Sequence, residues 1–125
     1  MSETDRSPAA APEDLARLFN ARANAGDVEG LVALYEPDAV LAVGAVVATG
    51  QAEIRAFYTD LLARKSEFPA AETLPSLING DLALTFARLP NGVVSVEAAR
   101  RRPDGSWRWA IDQLKIKPLT PAKAA

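Results

Sequence analysis

The chain has 125 residues, 49% hydrophobic and 24% charged, which suits one compact domain and leaves no length for a second. Fourteen lysines and arginines against sixteen acids give a formal charge of −2, so no basic field exists for nucleic acid or an anionic membrane surface, and neither is expected as a partner. Cysteine and histidine are both absent, which excludes disulfides, thiolate nucleophiles, zinc sites of the usual kind and imidazole acid–base chemistry. Catalysis would have to run on carboxylates, tyrosines, lysines or arginines, and no metal or cofactor is expected.

Residues 1–11, rich in proline, alanine and serine, read as a flexible N-terminus. They lack an apolar run long enough for a signal peptide or a membrane span, so a cytoplasmic location is expected. Residues 12–117 form the expected domain, and 118–125, with two prolines and little to bury, the expected flexible tail. Pro12, Glu13 and Asp14 suit the first turn of a helix, because proline lacks only a donor that is orphaned there and acids favour the positive end of the dipole. Leu15, Leu18, Phe19 and Ala23 then fall on one stripe. Gly26 is a stop and Asp27 a cap for a second short helix carrying Val28, Leu31, Val32 and Tyr35, which Pro37 ends.

Ala39 to Val43 reads as a short strand, and Gly44 to Gly50 as a loop or weak second strand. Ile54, Phe57, Tyr58, Leu61 and Leu62 mark a third amphipathic helix. Beyond Pro69 the period changes to that of strands: Glu72 to Ile78, Leu82 to Leu89, Val93 to Arg102 and Trp107 to Lys117. They are separated by Asn79-Gly80, Asn91-Gly92 and the turn Pro103 to Ser106. The expected fold is α+β, a curling antiparallel sheet with three N-terminal helices on one face.

The runs NAGDVEGLVALYEPDAV, GQAEIRAFYTDLL and RRRPDGSWRWAID, in that order, resemble the nuclear-transport-factor-like cone superfamily, in particular its SnoaL-like and ketosteroid-isomerase-like branches. The resemblance covers most of residues 13–117. It implies a cone-shaped curved sheet with the helices packed on its concave face around an apolar pocket, usually as a homodimer. It does not imply one activity, since the fold hosts isomerases, cyclases, hydrolases, dehydratases and non-catalytic association domains. Ketosteroid isomerases use a carboxylate base and an oxyanion hole of a tyrosine and a protonated acid. By count from the motifs, the tyrosine position holds Phe19, the base position Val43 and the protonated-acid position Glu97. One of three roles survives, which argues against steroid isomerisation by that mechanism. Phe57 and Tyr58 match the family's pocket wall, and Phe86 is placed with them and Phe19 as a substrate-binding candidate.

The residues themselves add one sharper feature. With Pro103 to Ser106 as a four-residue loop, Arg101 falls opposite Arg108, Ala99 opposite Ala110 and Glu97 opposite Asp112. Opposed carboxylates lie roughly 5 Å apart at Cβ, and in an apolar cavity both cannot comfortably ionise. A shared proton would make Asp112 a base and Glu97 an acid, the pairing that proton transfer or water activation needs. Alternatively each acid is neutralised by Arg88, Arg101 or Arg108, or faces outward through a register one residue off. On the same register Trp107, Trp109 and Ile111 look outward, with Arg100 and Arg102 stacked beside the indoles, and this apolar face suggests a homodimer. The expected function is binding of a small hydrophobic or carbonyl-bearing ligand, with isomerase, cyclase or hydratase-type catalysis. The alternative is a non-catalytic association or ligand-binding module.

Overall fold

The computed structural model describes residues 6–116; the ends of the chain, with the expected tail at 118–125, lie outside them. Helices α1 (Asp14–Asn24) and α2 (Val28–Val32) are followed by strands β1 (Tyr35–Val43) and β2 (Val46–Thr49). Helix α3 (Gly50–Arg64) leads to β3 (Glu72–Asn79), β4 (Leu82–Arg88), β5 (Val94–Arg101) and β6 (Trp107–Ile116). One curved sheet results, in the order β2-β1-β6-β5-β4-β3. It is mixed rather than antiparallel throughout, because β1 pairs parallel to β6; the helix α3 and the β3–β5 meander between them supply the long crossover that parallel neighbours need.

The α1–α2 junction follows the local chemistry. Gly26 takes φ +70°, a conformation that costs glycine nothing, and the Asp27 carboxylate caps α2 by accepting from the Gly30 amide at 3.0 Å. Asp27 also pairs with Arg6, and the buried Arg22 donates to the Gly30 and Ser7 carbonyls. The described part of the N-terminus, expected to be loose, is therefore held: Ala9 is buried and accepts from the Trp107 amide at 2.9 Å. Backbone pairing at the start of β6 overrides the loop-like composition.

Leu15 and Leu18 of α1, Leu31 and Val32 of α2, and Ile54 and Tyr58 of α3 are buried against Tyr35, Leu41, Ala99 and Trp109 of the sheet. Tyr35 lies on β1 and not on the second helix. Its helical spacing is real, but pairing with Trp109 takes the backbone into the sheet. A second correction concerns β5 and β6. Glu97 pairs with Asp112 as the sequence predicts and Ala98 with Ile111, yet Ala99 pairs with Trp109, leaving Ala110 as an extra residue. This bulge reverses the faces beyond it. Trp107 and Trp109 point to the helical side and are buried, while Ile111 stays outside, 57% exposed. Arg100 and Arg102 consequently do not stack on the indoles; both pair with Glu36.

Candidate active site

Along the helical face of the sheet runs a cavity of about 430 Å³, within the range of small-molecule sites. Its inner end is formed by the buried side chains of Ala87, Glu97, Trp109 and Asp112, and its outer end by the exposed Lys65, Pro69, Pro90, Asn91 and Lys115. Phe19, Leu61, Phe68 and Leu114 make the apolar walls. Loop 65–71, which carries Phe68 and Pro69, is tied to α1 by side-chain amides. Asn20 Nδ2 donates to the Phe68 and Pro69 carbonyls, while Asn24 donates to the Phe68 carbonyl and accepts from its amide.

The two acids meet as the sequence predicts, directly opposed across the β5–β6 ladder. Asp112 is fully buried and Glu97 only 4% exposed. Among the described residues neither forms an ion pair: Arg88 binds Glu72 and Arg101 binds Asp81, so the arginines weighed as neutralising partners are engaged elsewhere or, for Arg108, make no pair with either acid. Thr85 Oγ1 donates to Glu97 Oε1 at 2.5 Å and accepts from Trp109 Nε1 at 3.3 Å. Tyr35 donates to Asp112 Oδ2 at 2.5 Å, and the Tyr58 hydroxyl lies 2.6 Å from that of Tyr35. Since Tyr35 gives its only proton to Asp112, Tyr58 must donate to Tyr35. Asp112 Oδ1 is buried with no partner among the described residues.

Burial raises the Glu97 carboxyl above its ordinary range, against hydrogen bonds from Ser95 and Thr85 that pull it down. Burial, and then the Glu97 charge, raise Asp112 well above its ordinary range, with only the Tyr35 hydroxyl opposing. Asp112 has no exposed surface and accepts from one hydroxyl, whereas Glu97 keeps a little surface and is met by Thr85 and Ser95, so Asp112 is the acid that holds a shared proton. Because Oδ2 is occupied by the Tyr35 hydroxyl, that proton belongs on Oδ1. Burial also keeps the Tyr35 and Tyr58 hydroxyls neutral, pushing both well above their usual value.

Of the substrate-binding candidates, only Phe19 lines the cavity. Its ring lies 5.9 Å from that of Tyr58 and 6.1 Å from that of Trp109, both edge-on. Tyr58 stands behind the cavity wall as the end of the hydroxyl chain. Phe57 is half-buried against the ring of Tyr58, 5.1 Å away. Phe86 alternates with the inward Thr85 and Ala87 and lies on the opposite face, paired with Val96. Tyr35 as the partner of Asp112, and Trp109, Phe68, Lys65 and Lys115 as lining, are not among the site residues expected from the sequence. For Tyr35 the available signal was a tyrosine that must satisfy its hydroxyl in a core. Among the described residues no three acids cluster as a metal site, and no helix is long and apolar enough to cross a membrane.

Solved structures share the fold. A protein of unknown function with a cystatin-like fold from Nostoc punctiforme superposes with a TM-score of 0.68 at 20% identity, over 86% of this chain and 90% of its own. A nuclear-transport-factor-2-like protein from Novosphingobium aromaticivorans gives 0.59 at 24% identity, over 81% and 76%. A ketosteroid-isomerase-like protein from Erwinia carotovora gives 0.65 at 24% identity, over 85% and 94%. Among curated proteins none matches this sequence. The SnoaL-like domain model, in contrast, matches residues 15–116, which takes in every element from α1 to β6 and both carboxylates, so the chain belongs to the SnoaL-like family.

Proposed function

We propose that the protein binds a small, mostly apolar molecule bearing a carbonyl group and moves a proton on it, in a reaction of isomerase or cyclase type. One observation carries the reading: at the closed end of an apolar cavity, Asp112 has a buried oxygen without a partner among the described residues, directly across the ladder from a second carboxyl. The roles are the reverse of the sequence expectation. Asp112, protonated on Oδ1, donates to the ligand carbonyl once the closed end of the cavity yields to admit it, since that oxygen has no accessible surface, and Glu97, the acid left ionised, accepts a proton from the adjacent carbon. Returning that proton to another carbon completes an isomerisation; attack of the enol carbon on a second carbonyl of the same ligand, whose π bond breaks as its oxygen takes the proton, completes an aldol-type cyclisation. The SnoaL-like family and the ketosteroid-isomerase-like neighbour support the reaction class, and an open cavity favours it over an association module whose interior fills itself.

The test is solvent-deuterium exchange into the carbon beside the carbonyl of 2-tetralone, followed by NMR. General acid–base catalysis predicts exchange about 10²-fold or more above the level of Glu97→Gln. If ketone bound in the cavity exchanges no faster with the unmodified protein than with the variant, the catalytic reading is wrong. Assembly as a homodimer belongs to the same proposal. It is supported by the outer sheet face, where Leu77, Leu84 and Ile111 are exposed and Phe86, Val96 and Ala98 are partly so.

A further inference from the structure

The charges lining the cavity are sorted by depth. Among the described residues its acids, Glu97 and Asp112, sit at the closed end, and its cations, Lys65 and Lys115, at the open end. Neither lysine forms an ion pair among the described residues; Lys65 Nζ lies 5.0 Å above the ring of Phe68. The Asn20 amide is committed to loop carbonyls, and Asn91 Oδ1 accepts from the Val93 amide.

Lys115 reaches this position through a second irregularity of the β5–β6 ladder. Val96 pairs with Gln113 and Val94 with Ile116, so two steps along β5 match three along β6. Strict alternation from the inward Asp112 would send Lys115 to the outer face. The extra residue instead turns Leu114 and Lys115 together into the cavity.

We propose that the ligand is an amphipathic organic anion, held with its charged head between Lys65 and Lys115 and its apolar body directed inward to the carboxyl pair. The inference rests on the binding reading above and adds the class and orientation of the ligand. An anionic head is repelled at the closed end by the charge that Glu97 carries and attracted at the open end, so the orientation is fixed by the field of the site. Three steps along the strand take Asp112 to Lys115, about 10 Å. That spacing places the reacting group well along the ligand from its head.

Titration of the isotopically labelled protein with octanoate, octanol and octylammonium, followed by amide NMR, tests this directly. Octanoate is expected to shift amides around the cavity and to bind about fivefold to tenfold more tightly than octanol, with octylammonium weakest. The preference should shrink with added salt and disappear in Lys65→Gln/Lys115→Gln, the loss falling on octanoate rather than on octanol. Equal binding of octanoate and octanol at the cavity would overturn the anion inference and leave the cavity reading intact, as would a preference that survives loss of both lysines. Shifts confined to the outer sheet face for all three probes would overturn both.

Discussion

Replacing Tyr35 by phenylalanine removes one oxygen from a fully buried chain in which Tyr58 donates to Tyr35 and Tyr35 donates to Asp112, at 2.6 and 2.5 Å. Two groups then lose their partners at once: the Tyr58 hydroxyl proton and Asp112 Oδ2. An unsatisfied buried polar group costs about 1–3 kcal/mol, so the substitution should cost about 2–6 kcal/mol, a large share of the roughly 5–15 kcal/mol that holds a domain folded. Tyr58→Phe removes only the first donor of the chain and leaves the bond to Asp112 intact, so it should cost about 1 kcal/mol. Once Tyr35 is phenylalanine, the Tyr58 hydroxyl is itself the orphan, and removing it as well should be neutral or stabilising. The double variant should therefore be less destabilised than the sum of the singles by about 1–3 kcal/mol. Urea unfolding of the four proteins, followed by tryptophan fluorescence, measures this, since Trp109 packs 5.4 Å from the Tyr35 ring. Equal costs for the two single variants, or strict additivity, would refute the assigned direction of the chain.

Asp112→Asn should leave stability unchanged in acid and raise it increasingly as pH climbs from about 4 to neutrality. The folded carboxyl is held above its unfolded value by burial and by Glu97; both states are protonated in acid, the unfolded chain ionises first as pH rises, and the native protein loses stability until its own group titrates. Parallel stability–pH curves for variant and parent would show that Asp112 titrates normally. Ile111→Glu on the exposed outer face should convert a dimer to a folded monomer in sedimentation. Trp109→Glu should instead unfold the protein by placing a charge in the core; a folded Trp109→Glu monomer would contradict the inward placement of this indole.

Much of the architecture is local and therefore written in the chain. The stripe Ile54, Phe57, Tyr58, continued by Leu61 and Leu62, specifies α3 because a helical period sustained over several turns buries one face of a single helix. Asp27 after Gly26 starts α2 through a cap formed within four residues, and alternation with glycine turns delimits β3 to β6. The opposition of Glu97 and Asp112 was legible because pairing from the Pro103 to Ser106 turn happens to reach the same register there. What lies between was not legible: the extra residue at Ala110 and the one after Gln113 are accommodations of the curved sheet, carried by ordinary residues with no turn chemistry of their own. Those two bulges decide that Trp107 and Trp109 enter the core and that Lys115 reaches the cavity. Tyr35 likewise had a helical spacing, and only the parallel pairing of β1 with β6 placed its hydroxyl on Asp112. Side-chain period is a property of a few consecutive residues, whereas the face a strand residue finally occupies depends on every irregularity between it and its partner strand, and that is settled only when the sheet closes over its core.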